Sequence, residues 1–92
     1  MDEAEIREYL AEIDPEILMA DGFDQAFLGT AYRCGLGPVA AYDRTKCIQI
    51  LIDRDGMTWE EAEDFFCFNV EGAYVGELTP VFITLPEGPP AP

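Results

Sequence analysis

Between Asp2 and Ile13 the apolar positions Ile6, Tyr9, Leu10 and Ile13 fall at i, i+3, i+4 and i+7, and most other positions are acidic. That spacing predicts an amphipathic helix with one apolar stripe. Asp14-Pro15 ends it. Because Asp is a good N-cap and Pro is tolerated in a first helical turn, the same pair predicts a second short helix, Glu16 to Ala20, closed by Asp21-Gly22. From Phe23 to Arg33 the pattern fits a strand or a helix. Alternation of Phe27, Gly29 and Ala31 with Leu28, Thr30 and Tyr32 favours strand. Cys34-Gly35-Leu36-Gly37-Pro38 then supplies turn chemistry before a second short run, Val39 to Tyr42, so a hairpin is expected.

Asp43 reads as the N-cap of a helix running to about Asp55, with Gly56 as its C-terminal stop. Tyr42 and Cys47 occupy the N′ and N4 positions of a hydrophobic staple. Cys47, Ile48, Ile50, Leu51 and Ile52 wrap most of the way round this helix, which predicts a central, largely buried element. Thr58-Trp59-Glu60-Glu61 is a capping box opening another helix to about Val70, stopped by Gly72. At 100° per residue, Ala62, Phe65, Phe66, Asn69, Val70 and Ala73 gather on one side, and Glu60, Glu61, Asp64 and Glu71 on the other. Phe65 and Phe66 are therefore expected in the core, Asn69 as a buried amide, and Phe68 among the acids. Val75 to Leu85 reads as a final strand, with Pro80 at an edge or bulge. The pattern gives an α+β fold: a small, about three-stranded sheet, antiparallel or mixed, against two central helices, with the acidic N-terminal helix alongside. Residues 1–85 are expected to form the single domain and residues 86–92, rich in Pro and Gly, a disordered tail.

Ninety-two residues allow one core, and 49% apolar composition lets it form without metal or disulfide staples. The opening segment lacks the basic and apolar regions of a signal peptide, and no apolar run approaches a membrane span. Three cysteines, Cys34, Cys47 and Cys67, include no Cys-x-x-Cys pair. Together these predict a protein of a reducing cytoplasm whose free thiols serve as small core residues.

Charge changes the picture most. Nineteen acids stand against five bases, a net charge of −14. Residues 1–24 carry nine acids and only Arg7 as a base; residues 59–92 carry seven acids and no base; the middle holds Arg33, Arg44, Lys46 and Arg54 against three acids. Such a chain repels nucleic acid and anionic lipid, so a charged partner should be basic. Acidity as plain solubility is the competing reading.

Candidate chemistry is sparse. Aligning Gly56 with the glycine of a calcium loop puts Leu51 and Ala62 at the two key carboxylate positions, which excludes that motif. With no histidine in the chain and unrelated cysteine spacings, a zinc site is not expected. Glu60, Glu63 and Asp64 read as a solvated face in preference to a magnesium site. No serine or histidine is present, so Ser-His or Cys-His catalysis is excluded. Cys34 beside Arg33 reads as a structural thiol in the absence of a base. No catalytic residue and no cofactor is expected. "GAYVGELTPVF" lacks the cation an RNA-binding aromatic strand requires.

Three segments, "ADGFDQAFLG" (20–29), "AYDRTKCIQIL" (41–51) and "RDGMTWEEAEDFFCFNVEGAYVGELTPVF" (54–82), resemble a family of small acidic phage- and prophage-encoded proteins of unknown function. The resemblance transfers no activity and no functional residue. It implies a viral or mobile-element origin, and by analogy a role in blocking host proteins that handle nucleic acid. The expectation is thus a non-catalytic interaction protein that binds and modulates a basic host protein, with DNA mimicry or anti-defence inhibition as its sharper form. The recognition surface would be Glu5, Glu8, Glu12 and Glu16 early and Glu60, Glu61, Asp64 and Glu71 late, with Phe68 as an apolar anchor. The alternative is a small-ligand or nucleotide site built from Arg33, Arg44 and Lys46, with Asn69.

Overall fold

A computed structural model describes residues 1–73 and 76–86. The first helix, α1, spans Glu3–Ile13 and opens with a capping box that the sequence did not announce. The Asp2 carboxylate accepts the Glu5 N–H at 2.9 Å, and Glu5 Oε1 accepts the Asp2 N–H at 3.1 Å. Ile6 and Leu10 are buried; Tyr9 and Ile13, on the flanks of the stripe, are part exposed.

The expected helix from Glu16 to Ala20 does not form. Asp14 does accept the Glu16 N–H, at 2.9 Å, but it closes a single turn and the chain then runs irregularly. Five residues cannot offset the cost of helix nucleation. Two of their N–H groups find partners elsewhere: Leu18 donates to the Leu78 carbonyl at 3.4 Å and Ala20 to the Tyr42 hydroxyl at 2.9 Å.

One 3₁₀ turn, Asp24–Ala26, leads into β1 (Phe27–Arg33), which pairs antiparallel with β2 (Leu36–Asp43). The connection is tighter than expected. It is the two-residue turn Cys34-Gly35, with Gly35 at φ 77°. Gly37 and Pro38 belong to the strand, at a register shift where the missing proline N–H does least harm.

From β2 the chain passes through α2 (Arg44–Asp55) and α3 (Trp59–Phe66) to β3 (Val81–Ile83). β3 lies parallel to β2, pairing Ala41 with Val81, Tyr42 with Phe82 and Asp43 with Ile83. The sheet is mixed, with β2 in the middle. As a central strand, β2 is buried on both faces from Val39 to Tyr42. The final strand is much shorter than the expected Val75–Leu85. Tyr74, Val75 and residues 87–92 of the expected tail lie outside the described residues. Glu77-Leu78 form a turn, and Pro80 sits just ahead of β3.

Both central helices begin where the caps were read. Asp43 accepts the Lys46 N–H at 3.1 Å; Thr58 and Glu61 exchange the two bonds of a capping box at 2.9 and 3.2 Å. Gly56 ends α2 at φ 68°. Cys47, Ile48 and Leu51 are fully buried and Ile50 and Ile52 half-buried, so α2 is the central helix.

After Phe66 the helix widens into a π turn, Cys67–Glu71, closed by the Gly72 N–H on the Cys67 carbonyl at 3.0 Å. A Cβ at Gly72 would stand 3.0 Å from that same oxygen, a tight contact that a side chain could enter only if the turn shifted. The wider turn breaks the 100° phase on which the expected stripe rested. Ala62 and Phe66 are buried and Val70 half-buried, but Phe65, Asn69 and Ala73 are exposed.

Six rings join these elements in one row. Phe23 meets Phe66 at 5.8 Å, Phe66 meets Phe82 at 4.9 Å and Phe82 meets Tyr42 at 5.9 Å between centroids. Tyr42 continues to Phe27 at 5.5 Å and Phe27 to Tyr9 at 6.1 Å. Each such contact adds about 0.5–1.5 kcal/mol to the burial of the rings. Tyr42→Phe keeps the row but removes the acceptor of the half-buried Ala20 N–H. It should lower stability by about 1–2 kcal/mol in urea unfolding, with little change in the circular dichroism of the folded state.

Candidate functional site

The structure sorts the acids nominated as a recognition surface into two sets. Three have local work. Glu5 and Glu61 complete capping boxes. Glu71 holds Arg44, with Oε2 accepting from Nε at 2.7 Å and Oε1 from Nη2 at 3.4 Å. Glu63 adds a second carboxylate to Arg44 at 3.8 Å. The Glu71 hydrogen bond, followed by the charges of Glu71 and Glu63, raises the Arg44 pKa. By contrast, the exposed side chains of Glu8, Glu12, Glu16, Glu60 and Asp64 make no hydrogen bond or ion pair among the described residues.

Glu8 and Glu12 sit on α1, and Glu60 and Asp64 on α3. These faces differ in what accompanies the acids. On α1 the nearest ring, Tyr9, is engaged: it packs on Phe27 and its hydroxyl lies 3.4 Å from Thr30 Oγ1. On α3 the rings point to solvent. Phe68 is 80% exposed, Trp59 45% and Phe65 40%. Phe68 is where the sequence placed it, among the acids, whereas Phe65 was expected in the core. Ala62 and Phe66 define the buried line of α3, and Phe65 lies about 80° from it by helical geometry. The relation of Phe65 to Glu61 at i−4 and to Phe68 at i+3 was the available signal.

The residues of the alternative ligand site are not brought together. Arg33 stands at the hairpin turn, where Nη2 donates to the Glu77 carbonyl at 2.9 Å. Arg44 and Lys46 begin α2 beyond the other end of the eight-residue β2, roughly 25 Å of strand away. Asn69 is exposed, and its amide donates to the Phe65 carbonyl at 3.1 Å, a bond to the residue four back. It does reach the rim of an open cleft of about 350 Å³ between Leu18, Met19, Phe23, Val70 and Phe82. Lys46 lines a different depression, beside Tyr9 and Gln25.

Among the described residues, no three His, Cys, Asp or Glu side chains gather where they could hold a metal ion. No helix among them is long and apolar enough to cross a membrane. Of the thiols expected in the core, only Cys47 is buried; Cys34 and Cys67 are exposed, on the hairpin turn and the π turn. Burial, reinforced by the charge of Asp43, pushes the Cys47 thiol up to about 12. Burial also raises the Tyr42 hydroxyl, although its bond with Ala20 works the other way.

No protein-family model matches the chain, and no curated protein and no solved structure gives a significant match.

Asn69→Leu should leave stability within about 0.5 kcal/mol of the parent in urea unfolding, because the amide is exposed and its one bond is local. The thiols give a pH test. Cys47 holds its proton in the folded state to about 12, against 9.0 ordinarily, so above pH 9 the unfolded chain binds fewer protons than the folded one. Its contribution is full below pH 9, and stability falls as pH rises from there towards 12, with slope approaching about 1.4 kcal/mol per pH unit for one proton. Tyr42 adds to the fall above pH 10. Cys47→Ala should be less stable at pH 8 yet lose less between pH 9 and 10. Thiol reagents at pH 8 should modify Cys34 and Cys67 in the native protein, and Cys47 only on unfolding.

Proposed function

We propose that this chain is a non-catalytic interaction protein of phage or prophage origin whose acidic surface binds a basic protein that handles nucleic acid. One observation carries the reading: Glu60 and Asp64 on α3, which have no hydrogen bond or ion pair among the described residues, lie just before a π turn whose Phe68 is 80% exposed. Acids present only for solubility need no large apolar side chain among them. An exposed ring within a charged rim is the layout of a protein-binding hot spot. The net charge of −14 makes the attraction to a basic surface long-ranged and its strength dependent on salt. Phage origin is supported by the three resembling segments. Absence of serine and histidine from the chain supports a stoichiometric role over catalysis. In the sharper form of this reading, the helical carboxylates stand in for phosphates, and the protein competes with DNA for its partner.

The test uses Glu60→Lys with Asp64→Lys. Both positions are exposed and outside the core, so Asp64→Lys should cost about 0.5 kcal/mol or less, and Glu60→Lys, in the first turn of α3, about 1 kcal/mol. Affinity for a basic partner identified by mass spectrometry after pull-down should drop at least tenfold and fall steeply between 50 and 300 mM salt, conditions that span strong to weak screening. Duplex DNA should displace the protein from that partner. Binding that ignores both salt and the double reversal would leave the acidity as solubility.

A further inference from the structure

The outer face of α3 holds Glu60 and Asp64 at i, i+4, with Phe65 following Asp64 in sequence and Phe68 just past the end of the helix, in the π turn. Residues four apart on a helix are neighbours, about 5–6 Å between Cβ atoms, so Glu60 and Asp64 share one side of α3, and the exposed rings of Phe65, in its last turn, and Phe68, in the π turn that follows, continue the strip beyond them. We propose that this strip, and not the acidic face of α1, is the docking surface, and that its occupant is an arginine-bearing segment of the partner. This inference rests on the acidic-interaction reading above.

The protein's own packing shows why the occupant should be arginine. Arg44 lies over the Phe66 ring at 5.8 Å while its Nε bonds the Glu71 carboxylate at 2.7 Å. Arg54 lies over Phe23 at 5.7 Å and reaches Asp55 at 3.5 Å. In both cases one guanidinium satisfies a ring face and a carboxylate together. A planar, weakly hydrated fork can do this; the compact ammonium of lysine, held by its water shell, does it poorly. The α3 strip presents those same two groups outward at neighbouring positions. Residues 59–72 contain no cation, and Arg44, which reaches this segment from α2, is paired there with Glu63 and Glu71.

On the other acidic face the ring is already engaged: Tyr9 on α1, though 39% exposed, packs on Phe27 and has its hydroxyl 3.4 Å from Thr30 Oγ1, and no ring there is as open as Phe68 at 80%. A second copy of the chain is disfavoured as occupant: two bodies each carrying −14 repel, and α3 offers no cation to meet the partner's acids. A purely apolar partner would bury Asp64 and Glu60 without compensation. A partner segment with guanidinium groups satisfies both halves of the strip.

The experiment titrates the protein with nona-arginine and, separately, nona-lysine, following Trp59 emission and backbone amide shifts at 50 mM salt. Nona-arginine should bind more tightly, with the largest shifts from Glu60 to Phe68. Phe68→Ala should weaken the arginine peptide about three- to fivefold, the size of one exposed cation–π contact, and leave the lysine peptide within error. Its melting temperature should match the parent, because Phe68 is 80% exposed. Asp64→Asn should weaken both peptides, and Glu8→Gln with Glu12→Gln should spare the arginine preference. Equal affinity for the two peptides with no effect of Phe68→Ala would overturn the inference and leave general acidic attraction standing. Shifts centred on Glu8 and Glu12 would move the surface to α1 and overturn it too. If neither peptide binds even at 50 mM salt, the broader reading falls along with it.

Discussion

Tyr42 is the joint on which the other elements bear. Its ring stands between Phe27 on one neighbouring strand and Phe82 on the other, and its hydroxyl accepts the Ala20 N–H from a segment with no regular structure of its own. A single side chain thus fixes the spacing of three strands and ties down the stretch between α1 and β1. The rings beyond it carry the constraint outwards, to α1 through Tyr9 and to α3 through Phe66. A phenylalanine could fill the volume but could not hold Ala20, and a smaller residue would part the row at its centre.

How much of this was legible depended on how local each signal was. Caps and stops are decided within four residues, and Asp43, Gly56, Thr58 and Glu61 all behave as their neighbours require. The alternating run from Phe27 to Arg33 is a strand, as the alternation indicated. The failures share another cause. The segment from Glu16 to Ala20 had a good cap, but its N–H groups were claimed by Leu78 and Tyr42, residues more than twenty positions away. The span from Phe65 to Ala73 was projected on a uniform helix, and the widening at Cys67 ended that uniformity. Asn69 and Ala73, past the widening, therefore face solvent and not the core, while Phe65, still in the regular helix, is exposed because it lies off the line of Ala62 and Phe66. At the candidate surface, the capping box already showed Glu61 to be engaged, and Glu5 is likewise held by a partner three residues away. Glu71 is the acid whose engagement was illegible, because its partner, Arg44, is twenty-seven positions distant.

That distinction bears on how an acidic protein keeps a fold at all. Crowding nineteen carboxylates onto ninety-two residues costs stability through self-repulsion. Part of the load is absorbed at helix beginnings, where Asp2, Glu3 and Glu5 on α1 and Glu60 and Glu61 on α3 face the positive end of the helix dipole. Another part meets the few cations: Arg44 binds Glu71 and Glu63 at once, and Arg7 binds Glu3 at 2.8 Å. Arg44 and Arg54 also cover the rings of Phe66 and Phe23, so α2 contributes its cations as well as its apolar side to the core.

The parallel strand β3 has a kinetic meaning. It meets β2 at three positions only, after an excursion through residues 44–80 that contains both central helices. The hairpin of β1 and β2 closes over two residues and can form early, whereas β3 must await the loop around it, whose closure entropy is large. Phe82 then enters between Phe66 and Tyr42 as the last ring of the row. Detachment of the three residues of β3 would wet the middle of the core. The shortest strand of the sheet is thus also the one that carries a ring into the middle of the aromatic row, so the opening of that strand and the wetting of the core are one event.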